Sequence, residues 1–229
     1  MSQTKSDSIL VLCATGKVGG SVCKALKAAG FEVFGTTRSA SSQLLANGIK
    51  PILCNYTVRQ DLDRAFAETG AKKVFVITDY FRAAKGKSEV EIKHGKDAID
   101  AAKAAGVEHL VFNSIADADL DEDIAHFKTK LVIEEYLKSS GVRYSILRPT
   151  CFFENFDAPE DWNPLKKGQL KFLTTSKNKY CSTYDIGRAA AIMFKTPAQW
   201  QGKTLDVVSW VGDLSEVATA LEKVACIYL

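Results

Sequence analysis

The chain has 229 residues, of which 46% are hydrophobic and 25% are charged, and its formal net charge is +3. This composition is typical of a globular protein and excludes an intrinsically disordered, collagen-like or low-complexity chain. The net charge is too small to indicate nucleic acid or an anionic membrane surface as a partner. We expect a single domain with a full hydrophobic core over residues 1–229.

The N-terminal segment, residues 1–8, is polar and lacks the apolar core of a secretory signal. No apolar run approaches the roughly 20 residues that span a bilayer. Six cysteines are scattered without a CxxC pair, and three histidines show no metal-ligand spacing. We therefore expect a cytoplasmic protein with reduced thiols, no bound metal and no membrane partner.

Apolar runs and helical periodicities alternate along the first half of the chain. Strands are predicted at residues 9–14, 31–37, 49–54 and 73–78, and helices at residues 17–29, 41–47 and 62–69. Two of these helices are followed by glycines, Gly30 and Gly48, which are typical C-terminal stops.

The alternation continues in the second half of the chain. Helices are predicted at residues 89–105, 124–139 and 214–224, and strands at residues 110–114 and 144–147. The acidic segment at residues 117–123 is expected to be a solvated loop whose last carboxylates favour the following helix N-terminus. Strands separated by helices of this length indicate parallel βαβ units, so the predicted fold is an α/β doubly wound parallel sheet with helices on both faces.

A glycine-containing turn joins the first predicted strand to the first helix, with the sequence CATGKVGG at residues 13–20. Dinucleotide binding requires small residues at such a junction, because backbone N–H groups must approach the pyrophosphate at the helix N-terminus. Gly16 would let the backbone approach the phosphates, and Gly19 would let the helix pack closely on the strand. A plain connecting turn is the alternative, but the strand–turn–helix context favours cofactor binding.

The second predicted strand ends in Thr36, Thr37 and Arg38. An NAD-specific site usually has an acidic residue there, about 20 residues after the glycine turn, for the ribose 2′-hydroxyl. A guanidinium instead suits the 2′-phosphate of NADP through charge-assisted hydrogen bonds. The alternative is an exposed arginine at a strand end, and we predict NADP(H) as the cofactor.

Several blocks of the sequence, in this order, resemble the NmrA-like family: ATGKVGG, TTR, VFVITDYF, HFKTK, ILRPTCFFENF and STYDIGRAAA. This family comprises atypical members of the short-chain dehydrogenase/reductase superfamily, and the resemblance covers approximately residues 8–222. It implies a Rossmann-type fold with an abbreviated C-terminal substrate lobe from about residue 150 onward. Because the family includes NADP(H)-sensing regulators as well as NADPH-dependent reductases of quinones and other small molecules, the resemblance implies the cofactor class more strongly than the activity.

The resemblance implies cofactor contacts at several places. Those at the glycine turn and the 2′-phosphate are Thr15, Gly16, Lys17, Val18 and Arg38. Those after the fourth strand, under the ribose and nicotinamide, are Thr78, Asp79, Tyr80 and Phe81. Those in later parts of the chain are Lys93, Lys130, Phe152, Phe153 and Asn155. Lys130 matches the superfamily's active-site lysine, which holds the nicotinamide ribose, and Lys93 matches a family lysine close to the cofactor.

The sequence departs from the family pattern in three respects. Cys13 replaces the first glycine of the turn, where a Cβ constrains the backbone. Asp79 replaces an asparagine that relatives often have. Larger relatives continue for several tens of residues past the helix predicted at residues 214–224, so we expect a less deep and less selective substrate pocket.

Reduction of a carbonyl or quinone needs a proton donor, which is a tyrosine four residues before the lysine in the wider superfamily. His126 takes that position here, and His126 and Lys130 would share one helix face. We predict His126, or water, as the proton donor, with a helical residue without chemistry as the alternative. Ser114 matches the superfamily's substrate-orienting serine, and a simple strand-end hydroxyl is the alternative.

Aromatic side chains are expected to cluster at the carboxyl ends of the strands: Tyr80, Phe81, Phe152, Phe153 and Phe156. They would either stack a flat acceptor or form a core that closes the site.

The sequence leaves two functions open. The first, which we favour, is an NADPH-dependent oxidoreductase of a small aromatic or quinone-like acceptor. The second is a non-catalytic NADP(H) redox sensor that binds a regulatory protein. The absent tyrosine and the short C-terminus favour the sensor, whereas Lys130 and the aromatic residues favour the enzyme. The oligomeric state is not predicted.

Overall fold

The computed structural model describes residues 8–40, 42–120, 123–156 and 176–225. These residues form a seven-stranded sheet, a three-stranded sheet and the helices that pack on them. The strands are β1 (Ser8–Val11), β2 (Glu32–Thr37), β3 (Lys50–Leu53), β4 (Lys73–Ile77), β5 (His109–Asn113), β6 (Tyr144–Pro149), β7 (Cys151–Phe152), β8 (Asn178–Cys181), β9 (Thr204–Val207) and β10 (Trp210–Gly212). The helices are α1 (Lys17–Ala28), α2 (Ser42–Ala46), α3 (Arg59–Thr69), α4 (Ser88–Ala104), α5 (Ala125–Ser139), α6 (Thr183–Lys195), α7 (Pro197–Trp200) and α8 (Leu214–Ala225).

The large sheet has the order β3-β2-β1-β4-β5-β6-β9, and every neighbouring pair is parallel. The chain runs outward from β1 to β3 and then crosses back, so that β4 lies on the other side of β1. In open α/β sheets, ligands bind outside the carboxyl ends of the strands at this switch point. The predicted doubly wound parallel sheet is therefore confirmed.

The hydrophobic core lies on both faces of this sheet. Within β1, Ile9 and Val11 pack toward the face that carries α1 and α6, whereas Leu10 packs toward the face that carries α3, α4 and α5. All residues of β1 and β5 are buried. A strand covered on both sides reads as a continuous apolar run, which is why the sequence predicted the central strands well.

The DIGRAAA segment packs α6 against α1. A Cβ at Gly187 would lie 2.6 Å from the carbonyl oxygen of Ser21, so only glycine permits this approach. The Ser21 and Thr183 hydroxyls also lie 3.0 Å apart. This segment is therefore a close helix contact beneath the glycine turn.

The smaller sheet has the order β10-β8-β7, in which β8 pairs antiparallel with β10 and parallel with β7. Its apolar cluster contains Phe156, Tyr180 and Val217, against which Phe153 and Trp210 pack. The sequence did not predict these short strands. Within the described ranges, no helix has both the length and the apolar character that crossing a membrane requires.

Candidate functional site

The turn between β1 and α1 is held by backbone hydrogen bonds. The N–H of Cys13 donates to Thr36 Oγ1 at 3.0 Å, and the Cys13 carbonyl accepts from the N–H of Gly16 at 2.9 Å. Cys13 has a φ of 54°, in the left-handed region that favours glycine. Gly16 precedes α1 without a side-chain cap from the described residues, and the first turn of α1 has no carboxylate. The N–H groups of this first turn are consequently available to an anion.

Two glycines allow the turn to lie close to its neighbours. A Cβ at Gly19 would stand 2.2 Å from the Cys13 carbonyl oxygen and 2.7 Å from the Cys13 carbonyl carbon. A Cβ at Gly35 of β2 would stand 2.6 Å from the Ala14 Cβ. The sequence motif indicated Gly19 but not Gly35, whose only signal was a glycine inside a strand.

The end of β2 presents Arg38 to solvent. Thr36 and Thr37 are buried, and the Thr37 hydroxyl donates to the carbonyl of Ser39 at 2.8 Å. Arg38 is exposed, and its guanidinium has no ion-pair partner in the part of the chain that the structure describes. A free guanidinium at this position is suited to a phosphate.

Charged groups near the switch point affect the pKa of the Cys13 thiol. Its pKa is raised to about 12, mainly by burial and also by the Asp79 carboxylate, while the Arg38 guanidinium acts in the opposite direction. The ends of β1, β2 and β4 therefore lie within electrostatic reach of one another. With this pKa, the thiol stays protonated at neutral pH.

A cavity of about 290 Å³ opens between the turn and α2. Thr15, Gly16 and Lys17 line it from the turn, and Gln43 of α2 and Asn47, which directly follows α2, line it from the other side. Gln43 and Asn47 were not predicted, because nothing in the predicted helix at residues 41–47 shows that these two side chains face the turn.

The segment after β4 is shaped by Asp79. Its Oδ1 accepts hydrogen bonds from the N–H of Phe81 at 3.1 Å and of Arg82 at 2.9 Å. The carboxylate thus holds a local turn. Tyr80 and Phe81 form an edge-to-face pair with ring centroids 5.2 Å apart, and Phe81 is 68% exposed.

Lys130 is 8% exposed and is held by acceptors of the protein itself. Its Nζ donates to Glu91 Oε1 at 2.7 Å, to Thr78 Oγ1 at 2.5 Å and to the Thr78 carbonyl at 3.1 Å. Glu91 is fully buried, and its Oε2 accepts from the Thr129 hydroxyl at 2.5 Å. The contact of Lys130 with the nicotinamide ribose, which the resemblance implies, stays a prediction. Glu91 was not predicted, because its only signal was a carboxylate within a predicted helix.

His126 lies in an aromatic group at the edge of this cluster. Its ring centroid is 5.8 Å from that of Tyr80, 5.2 Å from that of Phe81 and 4.8 Å from that of Phe127. Burial lowers the pKa of His126 below 6.5, while Glu91 raises it and Lys130 lowers it. The imidazole is therefore neutral at physiological pH.

Ser114 is engaged in a separate buried network. Its hydroxyl donates to Glu134 Oε1 at 2.5 Å, and the guanidinium of Arg148 donates to both oxygens of Glu134 at 2.9 and 2.8 Å. Arg148 also pairs with Asp119 at 2.9 Å. The hydroxyl of Ser114 is thus directed to the α5 carboxylate, and its role in orienting a substrate stays a prediction beside the alternative of a simple strand-end hydroxyl.

Lys93 lies on the exposed side of α4. Its Nζ is 2.5 Å from Asp97 Oδ2, four residues along the helix. The structure does not bring Lys93 into the cluster formed by Glu91 and Lys130, and its contact with a cofactor stays a prediction.

The segment after β6 is linked to the glycine turn. Lys17 Nζ donates to the carbonyl of Glu154 at 2.5 Å. Glu154 Oε1 accepts from the Ser182 hydroxyl, the Thr183 N–H and the Thr183 hydroxyl at 2.8–2.9 Å, at the start of α6. Sequence reasoning missed Glu154, although it lies inside the FFENF block. Asn155 donates to Cys151 Sγ at 4.0 Å.

The aromatic side chains form two separate groups rather than the single cluster expected from the sequence. Tyr80 and Phe81 pack with His126 after β4. Phe153 stacks on Tyr180 with ring centroids 5.7 Å apart, and Phe156 and Trp210 complete that group in the smaller sheet. Phe152 is half-buried and packs on the main core. The group after β4, rather than all five rings, is exposed at the switch point.

A parallel sheet with a glycine turn at its switch point defines a Rossmann-type protein. The chain belongs to the NmrA-like family, whose family model matches residues 5–226. The resemblance seen in the sequence is thereby confirmed.

Two curated relatives are similar to this chain in sequence. The chain is 30% identical over 187 residues to the photosystem II assembly factor Ycf39 of Cyanophora paradoxa, a match that covers 79% of this chain and 57% of Ycf39. It is 28% identical over 257 residues to the NmrA-like family domain-containing oxidoreductase lnbB of Aspergillus flavus, which covers 97% of this chain and 75% of that relative. The chain thus spans little more than half the length of Ycf39.

Two solved structures show the same fold. The Citrobacter sp. triphenylmethane reductase complexed with NADP(H) superposes with a TM-score of 0.81 at 23% identity, covering 97% of this chain and 77% of the reductase. The NADPH-dependent quinone oxidoreductase QOR2 of Escherichia coli, complexed with NADPH, has a TM-score of 0.77 at 24% identity, covering 96% and 76%.

Proposed function

We propose that the chain binds NADP(H) at the switch point between β1 and β4 and is an NADPH-dependent oxidoreductase of a small aromatic or quinone-like acceptor. The observation that carries the proposal is the turn at residues 13–19, where Gly19 admits the Cys13 carbonyl and α1 begins without a cap. The name of the lnbB relative and the NADP(H) and NADPH in the two similar structures support it.

The residues at the switch point fit a dinucleotide phosphate. Backbone N–H groups of Thr15, Lys17 and Val18 would hold the pyrophosphate, because the open start of α1 favours negative charge. Arg38 would hold the 2′-phosphate. When bound, NADPH supplies a hydride ion to the acceptor.

The side chains near the site limit the chemical class of acceptor that the protein could reduce. Lys130 and Ser114 are engaged by buried carboxylates, and His126 is neutral, so none of the three predicted catalytic side chains is a strong general acid. An acceptor whose reduced form is stable before protonation, such as a quinone, is therefore favoured over a simple ketone. The exposed Phe81 ring offers a stacking surface for such a planar molecule.

The engaged Lys130 also favours a second candidate, a non-catalytic NADP(H) sensor that binds a regulatory protein. A sensor needs different affinities of two conformations for the cofactor and needs no proton donor.

Steady-state NADPH oxidation with a panel of quinones and simple ketones, together with NADPH titration by calorimetry, tests the proposal. We expect NADPH binding, and turnover with quinones but not with ketones. NADPH binding without turnover on any acceptor would favour the sensor, and absence of NADPH binding would contradict both functions.

A further inference from the structure

The loop at residues 80–87, between β4 and α4, is closed by backbone hydrogen bonds. The N–H of Gly86 donates to the carbonyl of Tyr80 at 2.8 Å, and the N–H of Ala84 donates to the carbonyl of Asp79 at 3.0 Å. Ala84 is buried, so the loop is anchored to the core. The loop therefore has a compact shape at the carboxyl end of β4, where open α/β sheets bind ligands.

Three exposed cations lie on this loop: Arg82, Lys85 and Lys87. Among the residues that the structure describes, none forms an ion pair with these three side chains. Exposed lysines nearby do have carboxylate partners, since Lys93 pairs with Asp97 and Lys128 pairs with Asp123. The charges of the loop are consequently available to an anionic ligand.

The nearest carboxylates along the chain leave the loop positive. Asp79 Oδ1 accepts from the N–H groups of Phe81 and Arg82. Glu91 is fully buried, and the exposed Glu89 forms no ion pair within the described ranges. Residues 80–88 carry three positive charges and no negative charge.

Phe81 places an aromatic surface on the same loop. Its side chain is 68% exposed, and its ring centroid lies 5.2 Å from that of Tyr80 and 5.2 Å from that of His126. A flat aromatic molecule can stack on the exposed part of this ring. The neighbouring cations can then donate charge-assisted hydrogen bonds to an acidic substituent of that molecule.

We propose that the loop at residues 80–87 binds the acceptor and selects an anionic aromatic one. The planar ring of the acceptor stacks on Phe81, and its carboxylate or sulfonate group pairs with the three cations. This inference rests on the proposed function and narrows the class of acceptor. It concerns binding only and adds no chemical step.

Two redox-inactive probes test this surface without turnover. Naphthalenesulfonate is anionic, and naphthalenesulfonamide, substituted at the same ring position, is neutral. Their dissociation constants are measured by calorimetry with and without saturating NADP⁺. The loop variant combines three substitutions: Arg82→Gln, Lys85→Gln and Lys87→Gln.

The control variant removes the same amount of charge at the opposite edge of the sheet. It combines three substitutions of exposed lysines in the last turns of α4 and α6 and directly before β9: Lys103→Gln, Lys195→Gln and Lys203→Gln. Because its net charge equals that of the loop variant, the comparison separates a local effect from the charge of the whole protein.

We expect the parent to bind naphthalenesulfonate at least about tenfold more tightly than naphthalenesulfonamide, because only the sulfonate pairs with the cations. The loop variant should lose this preference, and the control variant should keep it. Phe81→Ala should weaken the binding of both probes by about three- to tenfold. Equal affinities of the parent for the two probes, or equal losses in the loop and control variants, would overturn the proposal.

Inhibition of menadione reduction by NADPH shows whether the same surface holds the acceptor. We expect naphthalenesulfonate to compete with menadione in the parent, and inhibition that is not competitive would overturn the assignment of the loop to the acceptor. If no quinone is turned over, the proposed oxidoreductase function fails. The preference between the two probes still decides whether the loop binds an anionic aromatic ligand.

Discussion

The carbonyl oxygen of Cys13 lies 2.2 Å from the position that a Cβ at residue 19 would take. Because the opposing atoms are backbone, Gly19→Ala requires the turn or α1 to shift. Overpacking of this kind costs about 1–3 kcal/mol, and the shift would displace the N–H groups at the start of α1. We expect Gly19→Ala to lower the free energy of unfolding by that amount and to weaken NADPH binding, measured by urea unfolding and calorimetry.

Gly20 is the matched control for this substitution. A Cβ there would stand 3.5 Å from the Ala14 carbonyl oxygen, an ordinary contact, and the residue is helical. Alanine exceeds glycine in helix propensity by about 1 kcal/mol, so Gly20→Ala should be neutral or stabilising. Equal losses of stability for the two variants would contradict the close-approach explanation.

Cys13 carries a Cβ at a φ of 54°. The left-handed conformation costs such a residue about 1–2 kcal/mol. Glycine avoids this cost, but its unfolded chain has more conformational entropy than that of alanine. That entropy reduces the stability advantage of Cys13→Gly over Cys13→Ala by about 0.5–1 kcal/mol. Cys13→Gly should therefore be about 0.5–1 kcal/mol more stable than Cys13→Ala in urea unfolding. Both variants lose the thiol, so the comparison isolates the backbone, and an alanine variant as stable as the glycine variant would contradict the argument.

The sequence was sufficient for β1 to β6 of the large sheet, but insufficient for its edge strand β9 and for the side-chain partners. Strands buried on both faces produce apolar runs such as residues 9–14, and these runs need no tertiary information to be recognised. Helix spacing placed His126 and Lys130 on one face of α5, but the partner of Lys130 is 39 residues away on α4. No local pattern encodes that pairing.

The hydrogen-bond partners of Ser114 were not predicted for the same physical reason. Its place at the end of β5 was correct, yet Glu134 and Arg148, which engage its hydroxyl, come from α5 and β6. The smaller sheet was missed because β7 has only two residues and β10 three, too few for an alternating pattern.

His109 makes stability depend on pH. It is buried, its Nε2 lies 2.9 Å from the Ser145 hydroxyl, and burial lowers its pKa from 6.5 to about 4. Between these values the unfolded chain binds more protons than the folded protein, so stability falls as the pH falls. The slope reaches about 1.4 kcal/mol per pH unit.

Urea unfolding at pH 7.5 and pH 5 tests this dependence. His109→Gln keeps a donor for Ser145 and removes the titrating group. We expect the loss of unfolding free energy between the two pH values to be about 2 kcal/mol smaller in this variant. An unchanged pH dependence would show that His109 titrates normally in the folded protein.

Arg38 determines the choice between the two nicotinamide cofactors in the proposed function. Its exposed guanidinium follows the buried Thr37 and has no ion-pair partner in the described ranges, so nothing competes with a ligand phosphate. Hydrogen bonds to charged groups contribute about 1.5–3 kcal/mol. Arg38→Ala should therefore weaken NADPH binding by about 10- to 150-fold and leave NADH binding nearly unchanged.

Calorimetric titration of both cofactors checks this expectation, with Arg143→Ala as the control. Arg143 is also exposed but directly precedes β6, at the opposite edge of the sheet from the carboxyl ends. Its removal should affect neither cofactor. Because NADPH and NADH differ only in the 2′-phosphate, an equal loss for both on Arg38→Ala would mean that the guanidinium supports the turn or the adenosine as a whole. The preference for NADPH would then need another cation, and the assignment of Arg38 to the 2′-phosphate would be wrong.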